Sequence, residues 1–337
     1  MNAIMSLEKT KHYPVMLDQI LSIISPQHGG IFVDCTFGGG GYSKAILKYP
    51  DTKVFAIDRD ESTQKNADLL IKKFPKRFNF FRDRFSNLKE IVKINLKPKA
   101  IIFDLGLSSL QLEDPQRGFS FKSKDSLNMQ MGINEYSAYD VVNTLDKKNL
   151  ENIIKILGEE KQGRLIANKI VRYRNKKPIN TANELADIIN EAKKNYNKHK
   201  INPATKTFQA IRIFINQELS ELAAGLKAAT ELLGDEGILI VVSFHSLEDK
   251  IVKGFFNQYS NRNKNPSRYL PISKNKFDLF KMFLKKPLLP TDDEVTLNRR
   301  SRSAKARYAI RNDNPFFLSL DIEKKFRNYF KLEEIKI

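Results

Sequence analysis

The 337-residue sequence places an acidic residue, Asp34, just ahead of four consecutive glycines, Gly38 to Gly41, and a second acid, Asp58, about twenty residues further on. Residues without a Cβ let the backbone pass close beneath a ligand and take positive φ without steric cost. Asp58 is then expected to accept hydrogen bonds from a ribose diol. An apolar or aromatic residue after the next strand would flank an adenine. A dinucleotide site is one alternative, but its fingerprint, G-x-G-x-x-G, wants a third glycine for close helix–strand packing. Counted from Gly38 or from Gly39, the sixth position is Ser43 or Lys44, so the fingerprint fails in both frames. An acid immediately before the glycines suits a cationic, phosphate-free cofactor such as S-adenosylmethionine.

Further along, Asp104-Leu-Gly-Leu-Ser108-Ser109 follows an apolar run. Methyl transfer from a sulfonium is an in-line displacement, so alignment of nucleophile, methyl and sulfur is most of the task. If the acceptor is an exocyclic amine, oxygen acceptors on its protons favour a directed lone pair, and one of them takes the proton. Asp104 is the expected acceptor, or else a contact to the amino acid portion of the cofactor, with Ser108 and Ser109 as other acceptors; the plain alternative for Asp104 is a strand-end carboxylate capping backbone amides. Methylation of a pyrimidine ring carbon generally needs a thiolate. The single thiol, Cys35, lies in a predicted strand, which argues against that chemistry. His245, in Ser243-Phe-His-Ser-Leu-Glu-Asp249, could contact the target or simply tie its own loop together. Phe119 and Phe121, near Arg117, could stack on an extruded base, although packing of a helical insertion is the simpler expectation.

These residues need elements to hold them. Ile31–Cys35, Lys53–Asp58, Phe78–Phe81, Lys99–Asp104 and Gly237–Ser243 read as short buried strands separated by helix-length amphipathic stretches, which predicts parallel βαβ units. Ala306–Arg311 alternates like a strand at a sheet edge. Between them, Asp146–Leu157, Gly163–Arg174 and Thr181–Lys194 carry helical periodicity, and Thr207–Leu233 reads as one long amphipathic helix. Residues 257–300 read as a surface excursion. The fold expected is α/β, a doubly wound Rossmann-like sheet with an inserted all-helical substrate domain. The boundaries are 1–114 and 206–314 for the core, 115–205 for the insertion and 315–337 for a C-terminal tail.

Composition narrows the partners. The net charge is +19, and it is unevenly spread. Residues 161–212 hold 13 Lys/Arg against 3 Asp/Glu, and residues 261–311 hold 14 against 4. Two basic segments beside a near-neutral remainder point to a polyanion surface, nucleic acid before membrane. Within them, Arg172, Arg174, Lys176 and Lys177, then Arg299, Arg300 and Arg302, are the phosphate-contact candidates, with Arg117 nearer the site. No apolar run approaches the roughly 20 residues of a membrane span, and the N-terminus lacks an export signal, so a cytoplasmic location is expected. One cysteine excludes an internal disulfide and a cysteine-rich zinc site, and four scattered histidines argue against a metal cluster; no metal is expected.

With all these segments in view, the chain resembles the bacterial 16S ribosomal RNA cytosine-N4 methyltransferase family. The matching strings are His12-Tyr-Pro-Val-Met-Leu, Asp34 to Gly41, Ala56-Ile-Asp58-Arg-Asp60, Arg84-Phe85-Ser-Asn-Leu88 and Asp104 to Gln111-Leu. They continue with Arg117-Gly-Phe-Ser-Phe121, Thr207-Phe-Gln-Ala-Ile-Arg212 and Ser243 to Asp249, so the likeness runs from about residue 11 to residue 312. It implies a cofactor pocket of Gly40, Gly41 and Tyr42, with Asp58 at the ribose, Phe85 beside the adenine, and Asp104 with Gln111 near the methyl-transfer end. It also implies a substrate in 16S rRNA or the 30S subunit, and leaves the oligomeric state open, a homodimer included. Three departures stand out. Tyr42 replaces a frequent histidine, Leu110 replaces a proline, and the family's Leu-Asp-Met-Arg-Met-Asp string is Leu127-Asn-Met-Gln-Met-Gly132 here, losing three charges. A DNA amino-methyltransferase, a dinucleotide oxidoreductase and a non-catalytic RNA-binding assembly factor are the rival readings.

Overall fold

The computed structural model describes residues 14–193, 202–260, 278–284, 286–319 and 321–337. Seven strands form one sheet: β1 (Gly30–Asp34), β2 (Thr52–Asp58), β3 (Phe78–Arg82), β4 (Ala100–Asp104), β5 (Ile238–Ser243), β6 (Phe280–Phe283) and β7 (Lys305–Arg311). Their spatial order is β3-β2-β1-β4-β5-β7-β6. The first five are parallel, whereas β7 runs antiparallel to both β5 and β6. Strands buried on both faces must be apolar at successive positions. In β4, Ala100 and Ile102 enter one core, with α1 (Leu17–Ile24), α2 (Gly41–Ile46) and α3 (Gln64–Lys73), while Ile101 and Phe103 enter the other. Burial of each large side chain contributes about 2 kcal/mol.

Between β4 and β5 the chain is helical: α4 (Leu88–Ile91) precedes β4, and α5 (Ser109–Glu113), α6 (Ala138–Thr144), α7 (Lys147–Ile156), α8 (Gly163–Arg174), α9 (Ala182–Ala192), α10 (Thr205–Asn216) and α11 (Glu218–Leu232) follow it. Leu150, Ile153, Ile166, Ile170, Leu185 and Ile189 from this layer share one apolar cluster with Ile101 and Phe103 of the sheet. This helical layer and one face of the sheet therefore share a single apolar core, with α10 packed against α6, α7 and α11.

Several expectations change. The long helix over Thr207–Leu233 is two helices, broken at Gln217, which sits at φ 51. Neither glycine nor proline marks the break. Asn216 makes it instead: its amide donates to the Arg212 and Met129 carbonyls, and its oxygen accepts from the Met131 N–H and the Asn134 amide. Lys305–Arg311 is not the sheet edge, because β6 pairs outside it. That strand comes from the stretch expected to be a surface excursion, whose residues 261–277 lie outside those described. Residues 315–337, expected as a tail, contain α14 (Asp321–Lys325) and α15 (Arg327–Glu333), which bury Ile322, Phe326 and Leu332 against α12 (Ser246–Gln258) and its neighbours.

Candidate active site

Because β1 to β5 are parallel, their carboxyl ends line one edge of the sheet, where ligands of open α/β sheets bind. A cavity of about 900 Å³ opens there, lined among others by Gly38, Gly39, Asp58, Phe85, Asp104 and Ser108. Its floor is set by the loop after β1. Gly40 takes φ 76 at the start of α2, and a Cβ there would lie 2.8 Å from the Phe37 ring, so neither strain nor space admits a side chain. A Cβ on Gly39 would meet nothing within 4 Å, so open space lies beside the loop.

The two acids read around that loop hold it. Asp34, fully buried, accepts from the Ser43 hydroxyl at 2.7 Å and the Thr36 N–H at 3.4 Å. Asp58 accepts from the Gly38 N–H at 2.7 Å through one oxygen and from the Asp60 N–H at 2.9 Å through the other. Enclosure pushes its carboxyl up to about 6, with those two donors opposing the shift. Each oxygen keeps acceptor capacity, so a ribose can be added to this geometry. Phe85 meets Phe103 edge-on at 5.2 Å and packs against Gly225, where a Cβ would be 2.6 Å from its ring. Tyr42 lines the cavity but is 3% exposed, and its hydroxyl donates to the Val15 carbonyl. It braces the wall from behind.

Asp104 ends β4. Its N–H donates to the Thr36 hydroxyl at 2.7 Å, whereas its Oδ1 is buried with no hydrogen-bond partner. Burial, with Asp34, Glu248 and Glu294 nearby, holds its carboxyl well above the usual range. Such an orphaned acceptor is costly unless a ligand completes it. Beyond it, Ser108 caps α5: its hydroxyl accepts from the Gln111 N–H at 3.2 Å, and Gln111 Oε1 accepts from the Ser108 N–H at 3.0 Å. The Gln111 amide nitrogen donates to Asp60 at 2.7 Å. Gln111 therefore orients the Ser108 turn from a buried position. Ser109 accepts from the Arg300 guanidinium, 191 residues away in sequence.

The sequence reading missed Asp60, the hub beside the site. It accepts from the Ser62 N–H, from Gln111, and from both terminal nitrogens of Arg117 at 3.2 and 2.8 Å. Arg117 also donates to the Gln130 carbonyl at 2.6 Å and is only 19% exposed. Arg117, expected at RNA phosphate, is placed with its charge on Asp60 and on the 127–132 loop. That loop is packed rather than hinged. Leu127, Met129 and Met131 are buried. A Cβ at Gly132, φ 145, would sit 2.1 Å from the Arg59 carbonyl oxygen. Asp83, a further missed residue lining the cavity, accepts from the Arg84 N–H and the Asn87 amide.

His245 caps α12 in a reciprocal box. Its Nδ1 accepts from the Glu248 N–H at 3.4 Å, while Glu248 accepts from the Phe244 and His245 N–H groups. Glu248, which lines the cavity, thereby connects the histidine to the site, and the loop-tying role is the one the geometry displays. Glu218, His245 and Glu248 bring ligand atoms within 4.8 Å of one another. Arg212 already forks onto Glu218 with two 2.7 Å bonds, so positive charge is supplied there by the protein.

Phe121 packs edge-on against Phe208 at 4.7 Å, and Phe119 is buried, so both serve packing. Arg174, expected as a phosphate contact, donates to the Val142 and Leu145 carbonyls at 2.7 Å each, closing the end of α6. Arg172, Lys176, Lys177, Arg299, Arg300 and Arg302 are exposed. Lys177 lies 3.3 Å from Glu184. His12 and Tyr13 of the first matching string lie outside the described residues. No helix among the described residues is long and apolar enough to cross a membrane.

Comparison with known proteins identifies relatives along nearly the whole chain. The chain is 46% identical over 299 residues to the ribosomal RNA small subunit methyltransferase H of Wolbachia sp. subsp. Drosophila simulans (88% of this chain, 97% of the relative). Against the proteins of the same name from Ehrlichia ruminantium and Afipia carboxidovorans it is 44% and 42% identical, over 89% and 92% of this chain and 99% and 93% of theirs. Solved structures are remote: an rRNA methylase from Streptococcus thermophilus aligns at TM-score 0.39 and 10% identity, over 92% of this chain and 100% of that one. A family model described as the MraW methylase family matches residues 9–312. With nearly the whole length matched, glycine loop and strand-end acids included, the chain belongs to the MraW methylase family, methyltransferases that use S-adenosylmethionine.

Proposed function

We propose that this protein methylates the exocyclic N4 of a cytidine in 16S rRNA, in the decoding centre of the small ribosomal subunit, acting in the cytoplasm on naked rRNA or the 30S particle. The observation that carries the reading is the buried, unpartnered Oδ1 of Asp104 at the cavity end of β4. When bound, the cofactor supplies an electrophilic methyl group on a positively charged sulfur. Asp58 would hold its ribose, the glycine loop would run beneath it, and Phe85 would flank the adenine.

The cytosine N4 lone pair is delocalised into the ring. Asp104, as carboxylate, accepts an N4–H, turns the lone pair towards the methyl, and takes the proton the nitrogen loses on gaining a fourth substituent. A cation beside it favours the ionised form that its surroundings otherwise oppose. The Ser108 and Ser109 turn offers further acceptors, and Gln111 fixes that turn. Cys35 supports an amine target by exclusion: it is buried, and burial pushes its thiol well up, opposite to what an attacking thiolate needs. The helical layer at 115–205 and the exposed arginines would seat the RNA.

The test is incubation with labelled S-adenosylmethionine and 16S rRNA or 30S particles lacking the modification, followed by digestion and mass spectrometry of the nucleosides. N4-methylcytidine is expected. Methyl transfer to a ring carbon, or cofactor binding without transfer to either RNA, would overturn the assignment.

A further inference from the structure

Residues 288–304 form a strap that brings Leu297, Asn298 and Arg300 to the cavity. It is braced at both ends. Leu288 and Ala306 exchange backbone hydrogen bonds of 2.8 and 3.0 Å, the Leu289 carbonyl accepts from the Gln19 amide at 3.2 Å, and Glu294 accepts from the Met16 N–H at 2.7 Å. Past the lip, Arg300 donates to Ser109 and lies 3.8 Å from Glu113, and buried Ser301 closes on the Asn298 carbonyl at 2.7 Å. Between these anchors, α13 (Asp292–Leu297) ends on Leu297. This leucine is 89% exposed, more than any other large apolar side chain among the described residues, yet it lies on the cavity lip with Asn298 and Arg300. Exposed Arg299 and Arg302 follow it within five residues.

A rigid strap, an apolar tip and adjacent cations suit a stacked polyanion whose reacting base must leave the stack. Chemistry on a base requires it extruded, and apolar side chains inserted between bases hold such steps open. We propose that Leu297 is a positioning residue: it enters the RNA stack in the space the target cytosine vacates, while Arg299 and Arg302 hold the flanking phosphates. This rests on the RNA-methylation reading above.

The experiment compares wild type, Leu297→Ala and Leu297→Met in single turnover at saturating RNA, on whichever of naked rRNA or 30S particle the wild type methylates. Unstacking costs a few kcal/mol, so Leu297→Ala is expected to slow transfer about 10-fold. Cofactor and RNA affinities should stay within about two-fold, since the side chain stands 89% exposed at the lip of the cavity and carries no charge to meet phosphate, and Leu297→Met should restore most of the rate. A wild-type rate for Leu297→Ala would overturn the proposal. So would a loss confined to RNA affinity, or one that methionine does not rescue. If the wild type itself makes no methylcytidine on either RNA, the functional reading falls and takes the wedge with it, an outcome distinct from a fault in the wedge alone.

Discussion

Asp58 and Asp104 both end parallel strands, but their partners separate their roles. Asp58 is already held by the Gly38 and Asp60 amides, so it organises the glycine loop, and on the proposed reading it would also offer acceptors to a ribose. Replacing it with alanine removes charge-assisted hydrogen bonds of roughly 1.5–3 kcal/mol. Asp58→Ala is expected to weaken cofactor binding at least about 10-fold by calorimetry while sparing RNA affinity. In the wild type that affinity should fall as pH drops through about 6, where Asp58 gains its proton. Asp104 has no such internal partner on Oδ1. Asp104→Ala is expected to cut single-turnover transfer about 100-fold or more, the scale of a positioned acid–base group, with RNA affinity little changed. A reversed pattern, with turnover lost at Asp58 and binding lost at Asp104, would reassign the two roles.

At the scale of elements, the clamp of Asp60 on Gln111 and Arg117 joins the end of β2 to α5 and to the 127–132 loop. Removing one partner of an enclosed ion pair leaves the other charge uncompensated, a loss of about 3 kcal/mol or more. Arg117→Ala should therefore show as a clear drop in denaturation midpoint, along with slower transfer because the Ser108 turn loses its support. The C-terminal helix supplies a second device. Glu333 is buried at the start of α11, where its oxygens accept from the Leu219 and Ser220 N–H groups at 3.0 and 2.8 Å. Burial nevertheless pushes its carboxyl up to about 8. A folded value above the unfolded one means the native state binds the extra proton, so this group favours folding below about 4.5 and that contribution is lost as pH rises towards 8. Glu333→Gln should flatten the decline in thermal midpoint between pH 5 and 8; an unchanged slope would place the titration elsewhere.

For the molecule as a whole, the charge expected on an RNA surface is partly internal. Arg117 and Arg174 are engaged by backbone or carboxylate partners, whereas Arg172, Lys176, Arg299 and Arg302 remain exposed. Each phosphate contact adds close to one counterion to the salt dependence of binding. Double substitution Arg299→Ala/Arg302→Ala should reduce the log–log salt slope by about 2, while Arg174→Ala should leave it unchanged and lower stability instead.

How much of this could be read beforehand follows from how local each signal is. The five parallel strands, the cofactor loop and helices such as Gly163–Arg174 were legible in the sequence, because apolar runs, glycines and helical periodicity act over a few neighbouring residues. So was family membership, since the matching strings are long. The break at Gln217, the pairing of β6 outside β7, the anchored C-terminal helices and the inward turn of Arg117 and Arg174 were not. Each depends on a partner far along the chain: Asn216 on Met129 and Met131, Arg117 on Asp60, Leu219 on Glu333. A sequence states that a residue is charged or apolar and where along an element it falls; only the folded chain decides which distant group meets it, and so whether an arginine stays exposed or closes a helix, and which carboxylate keeps an unpartnered acceptor.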